Sequence, residues 1–442
     1  MKTNTLSYTA LSMALLCAAG TSAAQTTEPE VKAFVRFDAF MAATKTARST
    51  DMASSKAKDD SAFEEMRQHI LTMYKGVAVS HSYVQASNHF DCVPTGQQPS
   101  VRILGLKSIA GAPPQSALHK PTAGDKPGSA TQPATQGAGK TDAFGNAIGC
   151  EANTIPMRRI TLDEMTQFPT VHDFFQKGVN GSGRPATAQK QADPDLAANH
   201  KFSIMYQNVN NLGGNANINI WSPSVTPGWG QVFTLSQEWY VGGSGANTQT
   251  VEVGWQNYPA KYGTEDSRLF IYWTADNYAT TGCYNLDCAG FVQIDNSATL
   301  GGGFDDYSSF YGPQYEISAE YYLYQGNWWL AIQGTWIGYY PGWLYRGGQL
   351  AYYAQLIEYG TESDASVVWP GEGSGYWATA GFSLAAYQRN VFYLDGYGNG
   401  IYPSLTPYNT SPACYNTAGP FFDSTSSWGI YLFAGGVGGG GC

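Results

Sequence analysis

Histidine is absent from the chain beyond residue 200. All six histidines of the 442-residue sequence stand at or before that position, and only Lys201 and Lys261 supply lysine after it. A domain built from residues 201–442 alone therefore cannot form a Ser–His–Asp or Cys–His nucleophile, or a histidine-bearing metal site. Nothing around either lysine indicates a Ser–Lys pair. If this half is catalytic, its chemistry has to rest on carboxylates.

Long apolar runs are also missing. Residues 6–19 form an apolar stretch that is too short for a membrane span, which needs about 20 apolar residues. Lys2 precedes it, and the small residues Ser22 and Ala24 follow it. This pattern predicts a cleaved secretory signal over residues 1–24. We expect an exported protein with no membrane partner, either extracellular or periplasmic in transit.

Cysteine is scarce. The sequence has seven, of which Cys17 lies in the predicted signal, and the even number that remains in an exported chain predicts disulfides. Zinc-type C-x-x-C pairs are missing, so we expect no metal site. Sequence alone leaves several pairings open. Proximity along the chain favours Cys283–Cys288, and a Cys414–Cys442 bridge would hold the glycine-rich C-terminus. That leaves Cys92–Cys150.

Positive charge is rare in the second half. Residues 201–442 hold 5 Lys and Arg against 17 Asp and Glu, a net charge of −12, whereas residues 1–200 hold 19 and 17, a net charge of +2. A domain this acidic is a poor partner for nucleic acid or for an anionic membrane. An acidic surface also keeps an exported protein soluble, so the charge alone does not identify a function.

The first half has the pattern of a small α+β segment. Residues 60–76 predict a helix with a Ser61–Glu64 capping box, and Gly76 is placed to end it. Residues 77–84 alternate like a strand.

Two polar stretches divide the chain. Residues 111–141 are rich in Pro, Ala, Gly and Thr and predict a flexible linker, and residues 180–199 mark a boundary. We therefore expect two units, residues 25–199 and residues 200–442. We also expect the protein to be a monomer.

Short alternating runs separated by Gly and Asn fill the second half. Many short strands with turn residues between them predict an all-β domain, either an antiparallel β-sandwich or a barrel. The runs are residues 216–221, 231–235, 250–255, 269–273, 328–333 and 429–433.

Carboxylate chemistry needs two acids from different strands that converge in one groove, one ionised and one protonated. In TVEVGWQ, residues 250–256, strand alternation places Glu252 on a polar face and Trp255 on the opposite, apolar one. Glu252 is therefore the first candidate, although the same pattern occurs on ordinary solvated strands.

Several tracts resemble, in the same order, the neprosin family of glutamic prolyl endopeptidases. The resemblance covers essentially all of residues 200–442, and HFDCVPTGQQPSVR at 89–102 resembles the family's activation domain. The tracts are SQEW at 236–239, QTVEVGWQ at 249–256, RLFIYWTADNYATTGCYNLDCAGFVQ at 268–293, GNWWLAIQG at 326–334, IEYGTES at 357–363 and the closing CYN…WGIYLFAGG…C.

The resemblance implies that residues 25–199 are a prosegment and that residues 200–442 are a catalytic domain, an all-β, jelly-roll-like β-sandwich of bent antiparallel sheets. It also implies an acid-active endopeptidase that cleaves polypeptides next to proline. No metal, cofactor or covalent intermediate is implied. By motif, the catalytic glutamates are Glu252 and Glu362, the latter in an aromatic–Gly–Thr–Glu tract where plant members have aromatic–Gly–Gly–Glu. Glu358 shares strand parity with Glu362 and is the alternative. Gln237 is a candidate amide for the substrate carbonyl or the tetrahedral intermediate. Together with proximity, the resemblance predicts the three disulfides named above.

Two other function classes also fit the composition. A glycoside hydrolase also works with two carboxylates, and a non-catalytic, lectin-like adhesin would account for the aromatic sandwich without any chemistry. For the peptidase, we expect the near-neutral prosegment, through its Lys and Arg side chains, to cover the acidic domain at neutral pH and to leave in acid.

Overall fold

The computed structural model of the protein describes residues 33–118, 140–177 and 199–442. The predicted signal peptide and most of both predicted linkers lie outside the described residues.

The described residues before 178 form a small α+β unit, as predicted. Its strands make one antiparallel sheet in the order β1-β2-β3. Its elements are α1 (Phe37–Thr46), α2 (Asp60–Met73), β1 (Ser82–Gln85), β2 (Asn88–Pro94), α3 (Pro99–Ile103), β3 (Thr154–Arg158), α4 (Leu162–Met165) and α5 (Val171–Phe175).

Helix α2 matches the predicted helix but not its predicted cap. Asp59 is the N-cap residue, and its side chain accepts a hydrogen bond from a first-turn amide. Glu64 instead binds Arg67, with 2.7 Å between carboxylate and guanidinium. The predicted Ser61–Glu64 capping box is therefore wrong, because Asp59 already caps the helix two residues before Ser61.

The strand predicted at residues 77–84 is also too long. Strand β1 begins only at Ser82. The backbone amide of Ala78 donates to the side chain of Gln97 at 2.7 Å, so it is not available to a neighbouring strand.

Residues 200–442 form two antiparallel sheets, a β-sandwich that confirms the predicted all-β class. The chain-order elements are β4 (His200–Asn211), β5 (Gly213–Asn219), β6 (Gln231–Gly242), β7 (Gln249–Asn257), α6 (Pro259–Tyr262), β8 (Arg268–Thr274), β9 (Cys283–Tyr284), β10 (Val292–Gln293), β11 (Glu316–Tyr324), β12 (Asn327–Ile332), β13 (Thr335–Pro341), β14 (Ala354–Ala365), β15 (Ala386–Leu394), β16 (Gly400–Ile401), β17 (Thr406–Asn409), β18 (Asn416–Asp423) and β19 (Gly429–Gly435).

The two sheets differ in size. The seven-stranded sheet has the order β17-β4-β14-β6-β7-β8-β9. The nine-stranded sheet has the order β10-β13-β12-β11-β5-β15-β19-β18, with β16 beside β15. The inner face of the smaller sheet packs on the larger one: the Trp255 indole donates to Asn219 O of β5 at 2.8 Å, and Tyr240 packs edge-on against Tyr321 of β11. The N-terminal unit contacts the outer face of the smaller, seven-stranded sheet.

Three disulfides staple the chain, and their pairs are those expected from the sequence: Cys92–Cys150, Cys283–Cys288 and Cys414–Cys442. The first lies within the N-terminal unit and the others within the sandwich, so among the described residues no disulfide joins the two parts. None of the helices in those residues has the length and apolar character that crossing a membrane requires.

Candidate active site

Two glutamates meet at one lysine on the outer face of the seven-stranded sheet. Lys177 Nζ lies 2.6 Å from Glu252 Oε2 and 2.8 Å from Glu362 Oε2, and all three side chains are fully buried. Glu252 belongs to β7 and Glu362 to β14, whereas Lys177 follows α5 of the N-terminal unit. The lysine charge offsets the cost of burying two carboxylates so close together.

Strand register explains why the two glutamates converge. Strand β6 lies between β7 and β14, and its Trp239 stands directly opposite Glu252 on one side. Glu362 pairs with Leu235 of the same strand. Because side chains at every second position share a face, Glu252 and Glu362 project from the same side of the sheet. The structure thus places Glu252 on the face opposite Trp255, as the alternation predicts.

Gln237 lies on β6 between the two glutamates. Its Nε2 donates to Glu362 Oε2 at 3.4 Å, and its Oε1 has no hydrogen-bond partner in the described part of the chain. The structure therefore brings all three residues proposed from the sequence into one site. Glu358, the alternative, shares their face and pairs in register with Trp239.

The second oxygen of Glu252 is held by hydroxyl groups. Tyr278 donates to Glu252 Oε1 at 2.6 Å, and Thr250 donates to the same oxygen at 2.8 Å. Both donors are neutral, so this support orients the carboxyl group without adding charge.

The second oxygen of Glu362 is held by an imidazole ring. His200 Nδ1 lies 2.6 Å from Glu362 Oε1, and His200 Nε2 lies 3.4 Å from Asp364 Oδ2. Burial lowers the pKa of His200, but the charge of Asp364 and the hydrogen bond to Glu362 outweigh it, and the pKa is raised. Burial raises the pKa of Glu362, but the Lys177 charge and the His200 hydrogen bond outweigh it, and the pKa is lowered.

The residues just before Lys177 are fixed to the sandwich. Lys261 Nζ donates to Phe174 O at 3.1 Å, and the Tyr272 hydroxyl donates to Phe175 O at 3.1 Å. Phe174 itself is fully buried. These contacts hold the backbone of the last two residues of α5 and direct the lysine into the site.

Trp239 forms the floor beneath the lysine. Lys177 Nζ lies 4.7 Å from the centre of its ring, within the range of a cation–π contact. The lysine covers the indole face, and Trp239 as a whole is 1% exposed.

The threonine in the aromatic–Gly–Thr–Glu tract does not displace Glu362. Thr361 projects from the opposite face of β14, where its hydroxyl donates to Glu372 Oε2 at 2.7 Å. Ser363 donates to the other oxygen of Glu372 at 2.8 Å. Burial raises the pKa of Glu372 to about 8, against the effect of these hydrogen bonds.

Sequence reasoning missed Lys177, His200 and Tyr278. The count that excluded histidine began at residue 201, but strand β4 of the catalytic sheet begins at His200. The available signal was positional: Lys177 and His200 flank the polar stretch taken as the domain boundary. Tyr278 lies inside the long tract 268–293 that carries the family resemblance.

A metal centre is not indicated in the N-terminal unit. His81, Cys92 and Glu151 are grouped closely enough to share an ion. The sulfur of Cys92 is bonded to Cys150, however, and a disulfide sulfur is not a thiolate ligand.

Comparison with known proteins places the site in a family. The family model described as Neprosin matches residues 230–437, a span that includes Gln237, Glu252 and Glu362. Among solved structures, the chain is similar to scytalido-glutamic peptidase with a transition state analog inhibitor, at 9% identity and a TM-score of 0.27 over 54% of this chain and 97% of that one. It is also similar to CG-16, a homodimeric agglutinin from chicken liver, at 8% identity and a TM-score of 0.20 over 37% and 92%. TM-scores this low carry no argument about function. The family match identifies residues 230–437 as a Neprosin domain.

Proposed function

We propose that the chain is the precursor of a secreted, acid-active glutamic endopeptidase that cleaves polypeptides next to proline. One observation carries the proposal: two buried glutamates on different strands each direct one oxygen at the same atom, Lys177 Nζ. The Neprosin domain supports peptide hydrolysis as the reaction, and the disulfides fit an oxidising, exported environment.

The lysine nitrogen occupies the position that the reactive water needs. Its distances of 2.6 and 2.8 Å to the two carboxylates are those of hydrogen bonds to a water oxygen. Once Lys177 leaves, a water bound there touches both glutamates. One glutamate takes a proton from this water while the oxygen of the water attacks the scissile carbonyl carbon. The other, protonated, gives its proton to the leaving nitrogen as the C–N bond breaks.

Gln237 is placed to stabilise the oxyanion that forms during peptide hydrolysis. Its amide lies beside Glu362 with its carbonyl oxygen unengaged, and the amide nitrogen can donate to the negative oxygen of the tetrahedral intermediate. The flat face of Trp239, which Lys177 covers in the precursor, supports the preference for proline, because a proline ring packs well on an indole.

Residues 25–199 act as the prosegment in this proposal. Lys177 fills the catalytic position, and the contacts of Phe174 and Phe175 hold it there. The precursor is inactive because neither water nor substrate can reach the two glutamates. A net charge of −12 on residues 201–442 attracts the Lys and Arg side chains of the near-neutral prosegment at neutral pH.

The test is peptide cleavage by the purified full-length protein after incubation in acid, at about pH 3, below the ordinary carboxyl pKa values of about 4. Proline-containing peptides and matched peptides with alanine in place of proline are compared by mass spectrometry. Glu252→Gln and Glu362→Gln should each lower the rate by roughly a thousandfold or more, whereas Glu265→Gln, at an exposed position, should not change it.

Cleavage that persists in folded Glu252→Gln would reject the assignment. A dead Glu358→Gln together with an active Glu362→Gln would move the second role to Glu358. Equal cleavage of the proline and alanine peptides would remove the proline preference but keep the peptidase.

A further inference from the structure

We propose that His200 and Asp364 are positioning residues that hold Glu362 as the ionised general base of the pair. This inference rests on the proposed function, because it assigns roles within the same site. It starts from an asymmetry: the two glutamates present equivalent oxygens to Lys177, but their other oxygens are supported in different ways.

The support of Glu362 is a histidine between two carboxylates. Each ring nitrogen of His200 faces an acid, with Glu362 at 2.6 Å from Nδ1 and Asp364 at 3.4 Å from Nε2. A neutral imidazole has only one N–H, so it can donate to only one of two carboxylates. The arrangement therefore favours the doubly protonated ring, a cation that favours the ionised form of its neighbour.

The surroundings of His200 reinforce this state. The ring is fully buried, so its interaction with the acids is weakly screened. The groups around it are Glu362 and Asp364 of β14, Lys177 after α5, and the rings of Phe202 on β4 and Phe233 on β6. Tyr258, before α6, lies against the Phe233 ring.

The support of Glu252 has no comparable charge. Tyr278 and Thr250 are neutral donors, and Lys177 is the only cation that contacts Glu252 in the part of the chain that the structure describes. When Lys177 leaves, Glu252 has no contacting cation and lies beside the ionised Glu362, and a nearby like charge favours its protonated form. Glu362 keeps His200. The structure thus assigns Glu362 as the base and Glu252 as the acid.

His200 also fixes the direction of the base. Its ring binds Oε1 of Glu362, and the remaining oxygen, Oε2, faces the position of Lys177 Nζ. Because His200 is the first residue of β4 and pairs in register with Asp364, both positioning residues are built into the sheet that carries Glu362. They stay with the sandwich when the preceding residues are removed.

The test compares the pH dependence of kcat for acid-activated full-length protein with that of two variants. In His200→Gln, the acid limb of the kcat profile should move upward by about one pH unit or more, because Glu362 loses its cation. The KM should change little. His200→Lys restores a cation and should move the limb back, whereas a purely structural role would leave both variants equally impaired.

Asp364→Asn tests the contribution of Asp364 separately from that of His200. It should lower the pH at which His200 loses its proton, and Asp306→Asn, at an exposed position, should not. The proton is followed by nitrogen NMR of the full-length protein labelled at histidine, with the His200 signal identified by its loss in His200→Gln. This readout does not need catalysis, so it tests the pair even if no peptide is cleaved.

The outcomes are distinct. Absence of any Glu252-dependent cleavage would overturn the proposed function, and a His200 ring that is neutral at about pH 6, below the ordinary histidine pKa, would overturn the positioning pair. An unshifted acid limb in active His200→Gln would also overturn it. A shifted limb that His200→Lys restores supports the assignment.

Discussion

Tyr278 donates its hydroxyl hydrogen to Glu252 at 2.6 Å from a backbone in the left-handed region, with φ of 60°. Few residues other than glycine and asparagine adopt this conformation readily, and it is found more often at functional sites than elsewhere. The strain is tolerated where it places the phenol over the oxygen of Glu252 that faces away from the shared position. Tyr278 is therefore expected to orient one of the two catalytic acids.

Replacing Tyr278 with phenylalanine should slow the reaction without changing the fold. The variant keeps the ring and removes one hydrogen bond to the carboxyl group, worth roughly 1.5 kcal/mol, so kcat should fall about tenfold. Steady-state kinetics on a proline peptide measure the change. Tyr311→Phe, at a side chain that is 80% exposed, is the control. Unchanged kcat in Tyr278→Phe would show that Thr250 alone is sufficient.

Release of the prosegment should follow the titration of Glu362. Burial raises the pKa of this residue, but Lys177 and His200 outweigh it and hold the pKa below the ordinary value of 4.5. A carboxyl group with a lowered pKa stabilises the closed form above 4.5, and this stabilisation is lost as the pH falls through the lowered value. We expect the N-terminal unit to remain bound at neutral pH and to leave in acid. Size-exclusion chromatography after incubation at stepped pH measures this, and release that is independent of pH would contradict it.

Replacing Lys177 with methionine should weaken the closed form. The change leaves two buried carboxylates without their shared cation, a loss of roughly 3 kcal/mol. Activity should then appear at a higher pH than in the wild type. The pH of half-maximal activation is the measurement, with the exposed Lys75→Met as the control. An unchanged activation pH would mean that the Phe174 and Phe175 contacts, and not the lysine, close the site.

Glu372 should make the protein more stable in acid than at neutral pH. Burial raises its pKa to about 8, so the folded state disfavours its ionised form. For this group, stability falls as the pH rises from 4.5 towards 8. Glu372→Gln should therefore raise the free energy of unfolding by roughly 2–4 kcal/mol near the upper end of this range and change it little in acid. Thermal unfolding at both pH values decides this. An equal effect at both would contradict the buried, protonated state.

The sequence-based predictions succeeded where the information is local. Alternation along β7 places Glu252 correctly because the two-residue period of a strand is a property of the strand itself. The cap of α2 failed because Asp59 and Ser61 are both good capping residues and the local pattern does not decide between them. The wrong cap and the overlong strand predicted at residues 77–84 both lie outside the site.

The rest of the site depends on pairing that local patterns do not contain. Lys177 reaches Glu252 across 75 residues, and His200 reaches Glu362 across 162. A lysine after two phenylalanines and a histidine at a domain boundary are unremarkable until β4 pairs with β14 and α5 docks on the outer face. Electrostatic partners of this kind become visible only after the chain is folded.

Strand β4 begins with His200, the histidine that supports Glu362. The precursor should therefore tolerate any cut before His200 but no cut after it. Cuts at any bond between residues 177 and 200 give products whose N-terminal ends differ in length but whose catalytic residues are the same. Molecules with ragged starts should therefore turn over substrate at one common rate. A cut one bond further along removes the imidazole and yields a folded but slow enzyme. Maturation would need no protease of strict sequence preference, only one that stops before the sheet.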